Sequence, residues 1–148
     1  MLDSLDHKIL NLLQENGRKK RKDLADEIGL SLPSLSERLN KLEDHGIIEG
    51  YFTKLNRHTF GYDIQAFILV VMESSKNYKK LLENAKQIPE ILECHSVLGE
   101  GSHMLKVLVK STKELESLLS TIQSWPGVVR TITNFVLSTS KETTKIKI

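Results

Sequence analysis

The sequence predicts an α+β chain with a helical first third and a mixed αβ remainder, and three observations carry that prediction. Apolar residues recur at helical spacing from Leu2 to Leu42, interrupted at Gly17 and Gly29. Beyond a polar stretch at residues 54–62 the rhythm changes to strand-like runs such as QAFILVVMES, alternating with short helical stripes. Those later elements follow the order β-α-β-β-α-β, the ferredoxin-like pattern.

The first helix spans about residues 4–15, with Leu2, Leu5, Ile9, Leu12 and Leu13 as its apolar stripe, Asp3 or Ser4 as cap and Gly17 as terminator. In DLADEIG, Leu24, Ala25 and Ile28 share a face, and Gly29 can adopt the left-handed cap that ends a helix. Ser31 then caps a third helix with Pro33 in its first turn, where a missing N–H costs little. Ser34 and Glu37 also fit a capping box, which would start this helix three residues later. Leu32, Leu35, Leu39 and Leu42 centre its buried side, and Gly46 ends it. Two helices joined by a short glycine turn are the signature of a helix-turn-helix, whose second helix enters the DNA major groove. Ile47, Ile48, Tyr51 and Phe52 predict a short β-ribbon, the wing of a winged helix.

In the second part, residues 65–74 form a buried strand and Leu81, Leu82, Ala85 and Ile88 a helix closed by Pro89. Ile91 to Leu98 is extended, Gly99-Glu100-Gly101 turns, and Met104 to Val109 returns as a strand. Leu115, Leu118, Leu119 and Ile122 mark a second helix ended by Pro126-Gly127. Val128 to Leu137 alternates as the last strand, with Val129, Thr131, Thr133 and Phe135 on one face. One sheet with both helices on one side leaves its other face bare, and a sheet-to-sheet dimer would cover it. The predicted division is a winged helix-turn-helix domain at 1–53, a hinge at 54–62 and a ferredoxin-like domain that dimerises at 63–148.

Charge constrains how such a chain binds DNA. Net charge is only +2, and residues 1–56 hold nine Lys/Arg against ten Asp/Glu. Affinity must come from placement, and Arg18, Lys19, Lys20, Arg21 and Lys22 run consecutively. Positive charge opposes the dipole at the helix start it occupies, which points to use on phosphates rather than to solvation alone. The longest apolar run, Ala66 to Met72, is too short for a bilayer, and residues 1–6 lack a secretion leader. The lone Cys94 forms no internal disulfide and suits the cytoplasm.

With LDSLDHKILNLLQENGR, LADEIGLSLPSLSERLNKLEDHGIIEGY and a glycine turn before MLKVLV, the chain resembles the Lrp/AsnC (feast/famine) transcriptional regulators over nearly its whole length. The resemblance implies a winged-helix DNA-binding domain and a ligand-sensing αβ domain that dimerises, with dimers assembling into octamers. It also implies an amino-acid effector bound near the glycine turn where dimers meet. Family members commonly carry an aromatic-aspartate pair in that turn; here Gly101-Ser102 stand in its place. The missing aspartate is a natural partner for an ammonium group, which Glu100 or His103 would have to replace.

A helical wheel puts Glu37, Pro33, Asn40, Lys41 and Asp44 opposite the leucines, with Ser34 and Ser36 flanking. Ser34, Ser36, Glu37, Asn40 and Lys41 are the expected base readers; Asn40 suits adenine and Glu37 a cytosine amino group. Ser31, Pro33, Arg38 and the run Arg18, Lys19, Lys20, Arg21, Lys22 complete the expected DNA-contacting set. Arg38 lies nearer the apolar side, where it would brace the domain and reach a phosphate from the flank. Lys19 stands where the resembled family is usually apolar. The expected effector residues are Leu98, Gly99, Glu100, Gly101, Ser102 and His103, lined by Thr131 and Thr133.

Enzyme readings fail on the residues. Gly99-Glu-Gly101-Ser-His-Met104 lacks the third glycine of a dinucleotide fingerprint and runs into a strand. Ser138 to Lys141 has S-x-x-K spacing but no partner motifs. Cys94 and His95 would point to opposite faces of a strand, and the five histidines show no metal-ligand spacing. The sequence therefore predicts a transcriptional regulator without cofactor or metal, partnered by double-stranded DNA and by itself, which either binds a small amino acid or related metabolite or has no effector. The alternative is a ligand-binding or enzyme-regulating module whose helical domain docks a protein.

Overall fold

The computed structural model describes residues 2–148. The residues up to Lys54 together with Lys141–Ile148 form one compact unit, and Leu55–Ser140 form another.

The first unit holds α1 (Ser4–Glu15), α2 (Arg21–Ile28) and α3 (Leu32–Asp44). Asp3 caps α1 because its carboxylate accepts the Leu5 and Asp6 N–H groups, each at 2.9 Å, while its own N–H donates to Asp6 at 3.0 Å. That reciprocal box satisfies amides the first turn would leave bare. The helix stops at Asn16 in an extended conformation, so Gly17 is not its left-handed terminator. Gly29 does end α2 in the left-handed region, at φ +75°, and Ser31 caps α3 by accepting the Ser34 N–H at 3.3 Å. The later start at Ser34 is not used. Ile9, Leu24, Ala25, Leu35, Leu39 and Leu42 form the core. Leu32 is not among them: at 46% exposure it lies in the first turn, beyond the reach of α1 and α2 packing. The β-ribbon expected at Ile47–Phe52 does not form, since among the described residues this segment has no strand beside it to bond with.

In the second unit the polar stretch closes into one helical turn (Arg57–Phe60) ended by Gly61. Then follow β1 (Ile64–Met72), α4 (Tyr78–Gln87), β2 (Ile91–Ser96), β3 (His103–Val109), α5 (Thr112–Gln123) and β4 (Val128–Phe135). The sheet is antiparallel in order β2-β3-β1-β4, the ferredoxin-like arrangement. Strand alternation sends Ile64, Ala66, Ile68 and Val70 inward under Leu81, Ala85, Leu115, Leu118, Ile122 and Trp125. Phe67, Leu69 and Val71 of β1, Met104 and Leu108 of β3 and Ile132 of β4 point to the uncovered face, where each keeps some exposure. Among the described residues no helix is long and apolar enough to cross a membrane.

Candidate nucleic-acid interface

The third helix separates its residues as the wheel requires. Leu35, Leu39 and Leu42 are buried, which turns Ser31, Pro33, Ser34, Glu37, Asn40 and Lys41 outward; Ser36 is half-buried. The Ser31 and Ser34 hydroxyls lie 2.9 Å apart, so the two serines at the N-terminal end hold each other. Glu37 accepts from Lys41 Nζ at 2.7 Å across one turn, and that hydrogen bond holds the Glu37 carboxyl below its ordinary range. A base-reading Glu37 must therefore release Lys41 or act jointly with it. Asn40, between them, is exposed and makes no side-chain hydrogen bond among the described residues.

Arg38 is built into the unit. Its Nη1 donates to Asp3 at 2.7 Å and Asp6 at 2.8 Å, tying the middle of α3 to the cap of α1. Both carboxylates, Asp6 foremost, raise the guanidinium's affinity for its proton. Its bracing role is thus direct, and reaching a phosphate would mean leaving two carboxylates.

Residues of the basic run divide between two roles. Arg18, Lys20, Arg21 and Lys22 are exposed and form no ion pair among the described residues, whereas half-buried Lys19 bonds Glu27 of α2. Lys19 therefore solves its packing by using its charge internally, and the other four cations stay exposed. No side chain caps α2, whose first-turn amides point out beside these cations.

Turn Leu98–Ser102 of the second unit is shaped by close packing. Gly101 lies so near β1 that a Cβ there would come 2.5 Å from Leu69 Cγ and 2.9 Å from the Val70 carbonyl oxygen. The Ser102 N–H donates to that same carbonyl at 3.0 Å. Gly99 takes φ +136°, open to glycine alone, while Leu98 and Glu100 project into solvent. His103 is fully buried: its Nδ1 lies 2.9 Å from Ser102 Oγ and its Nε2 3.3 Å from Ser96 Oγ, and Tyr78 meets its ring edge-on at 4.8 Å. Burial lowers its pKa, favouring neutral imidazole, so it does not replace the missing charge on the turn's surface.

Thr131 and Thr133 are not brought to this turn. They pair with Val70 and Ile68, whose side chains point inward, so the threonines share the helix side of the sheet. Gln123 of α5 accordingly donates to Thr131 Oγ1 at 2.9 Å. The turn instead closes over Leu69, on the opposite face. Cys94 packs against the inner core, and burial raises its thiol pKa, consistent with an inert apolar residue. Among the described residues no group of three or more His, Cys, Asp or Glu is placed to hold a metal ion.

Comparison with known proteins supplies a context for both units. Residues 2–49 match the model for winged helix-turn-helix DNA-binding domains, and residues 65–146 that for Lrp/AsnC ligand binding domains. The chain is 35% identical to the HTH-type transcriptional regulator FL11 of Pyrococcus horikoshii, covering 99% of this chain and 97% of that one. It is 32% identical to the regulatory protein AsnC of Haemophilus influenzae, over 81% of this chain and 80% of the relative. Among solved structures, a transcriptional regulator of Neisseria meningitidis in complex with L-Met superposes with a TM-score of 0.92 at 32% identity, covering 99% and 97%. A feast or famine regulatory protein of M. tuberculosis complexed with L-methionine gives 0.92 at 29% identity, covering 99% of both chains. None of these relatives favours a protein-docking module over DNA binding.

Proposed function

The chain belongs to the Lrp/AsnC family of HTH-type transcriptional regulators, and we propose that it reads operator DNA with the outer face of α3 while the cations before α2 hold the phosphate backbone. One observation carries this reading: Glu37, Asn40 and Lys41 stand exposed across the helix from three buried leucines, with exposed Ser34 on the flank. In a helix-turn-helix that is the face presented to base edges, and Asn40 suits adenine in the major groove. Arg18, Lys20, Arg21 and Lys22 supply the sequence-independent part of affinity.

We infer that the protein acts in the cytoplasm as a homodimer joined through the apolar sheet face, with dimers assembling further. A unit so weakly charged binds weakly alone, and linking two or more copies raises the effective concentration of each at its half-site. The turn at Leu98–Ser102 is the proposed place for an amino-acid effector. Its backbone is approachable at Gly99, and Glu100 is the one acidic side chain in it. Relatives solved with L-methionine make that amino acid the first to try.

The deciding experiment is a gel shift of the full chain on its own upstream DNA across a salt series. Tight binding to that fragment, with weaker and steeply salt-dependent binding to random duplex, supports the reading. Equal affinity for both removes sequence-specific regulation. A thermal-shift screen of the common amino acids tests the effector, since a ligand of the native state raises Tm; no shift at millimolar concentration argues for an effector-free regulator.

A further inference from the structure

The last eight residues, KETTKIKI, belong to the DNA-binding unit and not to the αβ unit that precedes them in the chain. We propose that this tail is a second phosphate-binding element, which sets Lys141 and Lys147 against the DNA backbone beside Arg18–Lys22. The proposal rests on the DNA-binding reading given above and adds residues to it.

The tail is held at a defined place. The Gln14 carboxamide brackets Ile146: the Ile146 N–H donates to Gln14 Oε1 at 2.7 Å, and Gln14 Nε2 donates to the Ile146 carbonyl at 3.1 Å. Lys145 Nζ reaches Glu15 at 2.8 Å, and Lys54 Nζ reaches Glu142 at 2.6 Å. The Gln14 and Glu15 attachments lie at the end of α1, just before the basic run begins. The Glu15 carboxyl is held below its ordinary range chiefly by Lys145, with a smaller contribution from Lys19.

Stability does not account for this arrangement. Ile146 remains 66% exposed and Ile148 42% exposed, so the tail buries little apolar surface. Surface ion pairs contribute little to folding. The electrostatic consequence is larger. Residues 1–54 carry nine Lys/Arg and ten Asp/Glu, and the tail adds three lysines and one glutamate. The unit's charge changes from −1 to +1, the sign a polyanion requires. Lys145 is engaged by Glu15, whereas Lys141 and Lys147 are exposed and form no ion pair among the described residues.

The test uses the full chain and a K141Q/K147Q double variant, titrated against the upstream fragment and a random duplex over a salt series. The slope of log K against log salt should flatten by roughly 0.9 per lysine in contact, about 1.8 for the pair, equally on both DNAs. Tm should stay unchanged, and K141R/K147R should restore the slope. An unchanged slope overturns the proposal, even if Tm falls, because the tail would then be only a strap. A wild-type chain with no salt-dependent binding to either duplex fails earlier and removes the DNA-binding reading itself.

Discussion

Both units bury one side of their elements and leave the other open, but they leave open opposite kinds of surface. In the helical unit the free face of α3 is polar, with two serines, a Glu37–Lys41 pair and Asn40. In the αβ unit the free sheet face presents Phe67, Leu69, Val71, Met104 and Ile132, with Gln65, Lys106, Arg130 and Asn134 around them. A face that stays hydrated until it meets a hydrogen-bonding polyanion can afford polar groups. An apolar sheet face gains by removing water against its own copy. The interiors differ as well: six buried residues hold the helices together, against thirteen in the αβ unit. The smaller core leans on local devices, namely the Asp3 cap and the Arg38 brace.

The sharpest way to break that contrast is Leu35→Ala. Emptying a fully buried site should cost about 2–5 kcal/mol, enough to melt the smaller unit and abolish DNA binding. The lone Trp125, buried in the other core, should keep its own fluorescence transition. Simultaneous loss of helical circular dichroism and the Trp125 signal would show one cooperative body instead of two units. Next in size, Asn40→Ala should cost about 1–3 kcal/mol at a specific site and almost nothing on random duplex. Equal losses on the two DNAs would make that polar face a solvated surface and not a reader.

Gly101→Ala probes the other unit, where the new methyl would strike Leu69 and the Val70 carbonyl. Such overpacking costs about 1–3 kcal/mol. The Trp125 transition should move while DNA affinity per protomer holds; an unchanged transition would mean that the turn yields freely and is not fixed by β1. The smallest effect concerns pH. His103 is buried with its proton affinity lowered, so the unfolded chain takes up a proton near the usual histidine value while the native chain resists. Its contribution is complete above about pH 6.5 and is lost as pH falls from there toward the native pKa. The Trp125 transition of the wild type should therefore drop further between pH 7.5 and 5.5 than that of His103→Phe. Identical drops would exclude His103 as the source.

What the sequence disclosed was local. The α1 cap, the left-handed Gly29, Ser31 with Pro33 and the period of Leu35, Leu39 and Leu42 each depend on residues a few positions apart. So does the wheel that separated Asn40 from Arg38. Less visible were features set by distant neighbours. A ribbon at Ile47–Phe52 needs a second strand that local periodicity does not supply. Alternation alone places Thr131 and Thr133 on one face of a strand. Only pairing with Val70 and Ile68 fixes that face as the helix side, away from the turn. Lys19 found Glu27 eight positions on. The tail's docking at Gln14 spans 132 residues and leaves no trace in either segment alone.

That docking also changes how the chain is partitioned. Because segments from both sides of the αβ unit build the DNA-binding unit, the αβ unit is in effect an inserted domain, entered after Lys54 and left before Lys141. The rim of the insertion is narrow, since Lys54 and Glu142 touch at 2.6 Å. Excising residues 55–140 and joining the ends by a few flexible residues would then yield a miniature reader that retains both basic segments and lacks the sheet face proposed for pairing.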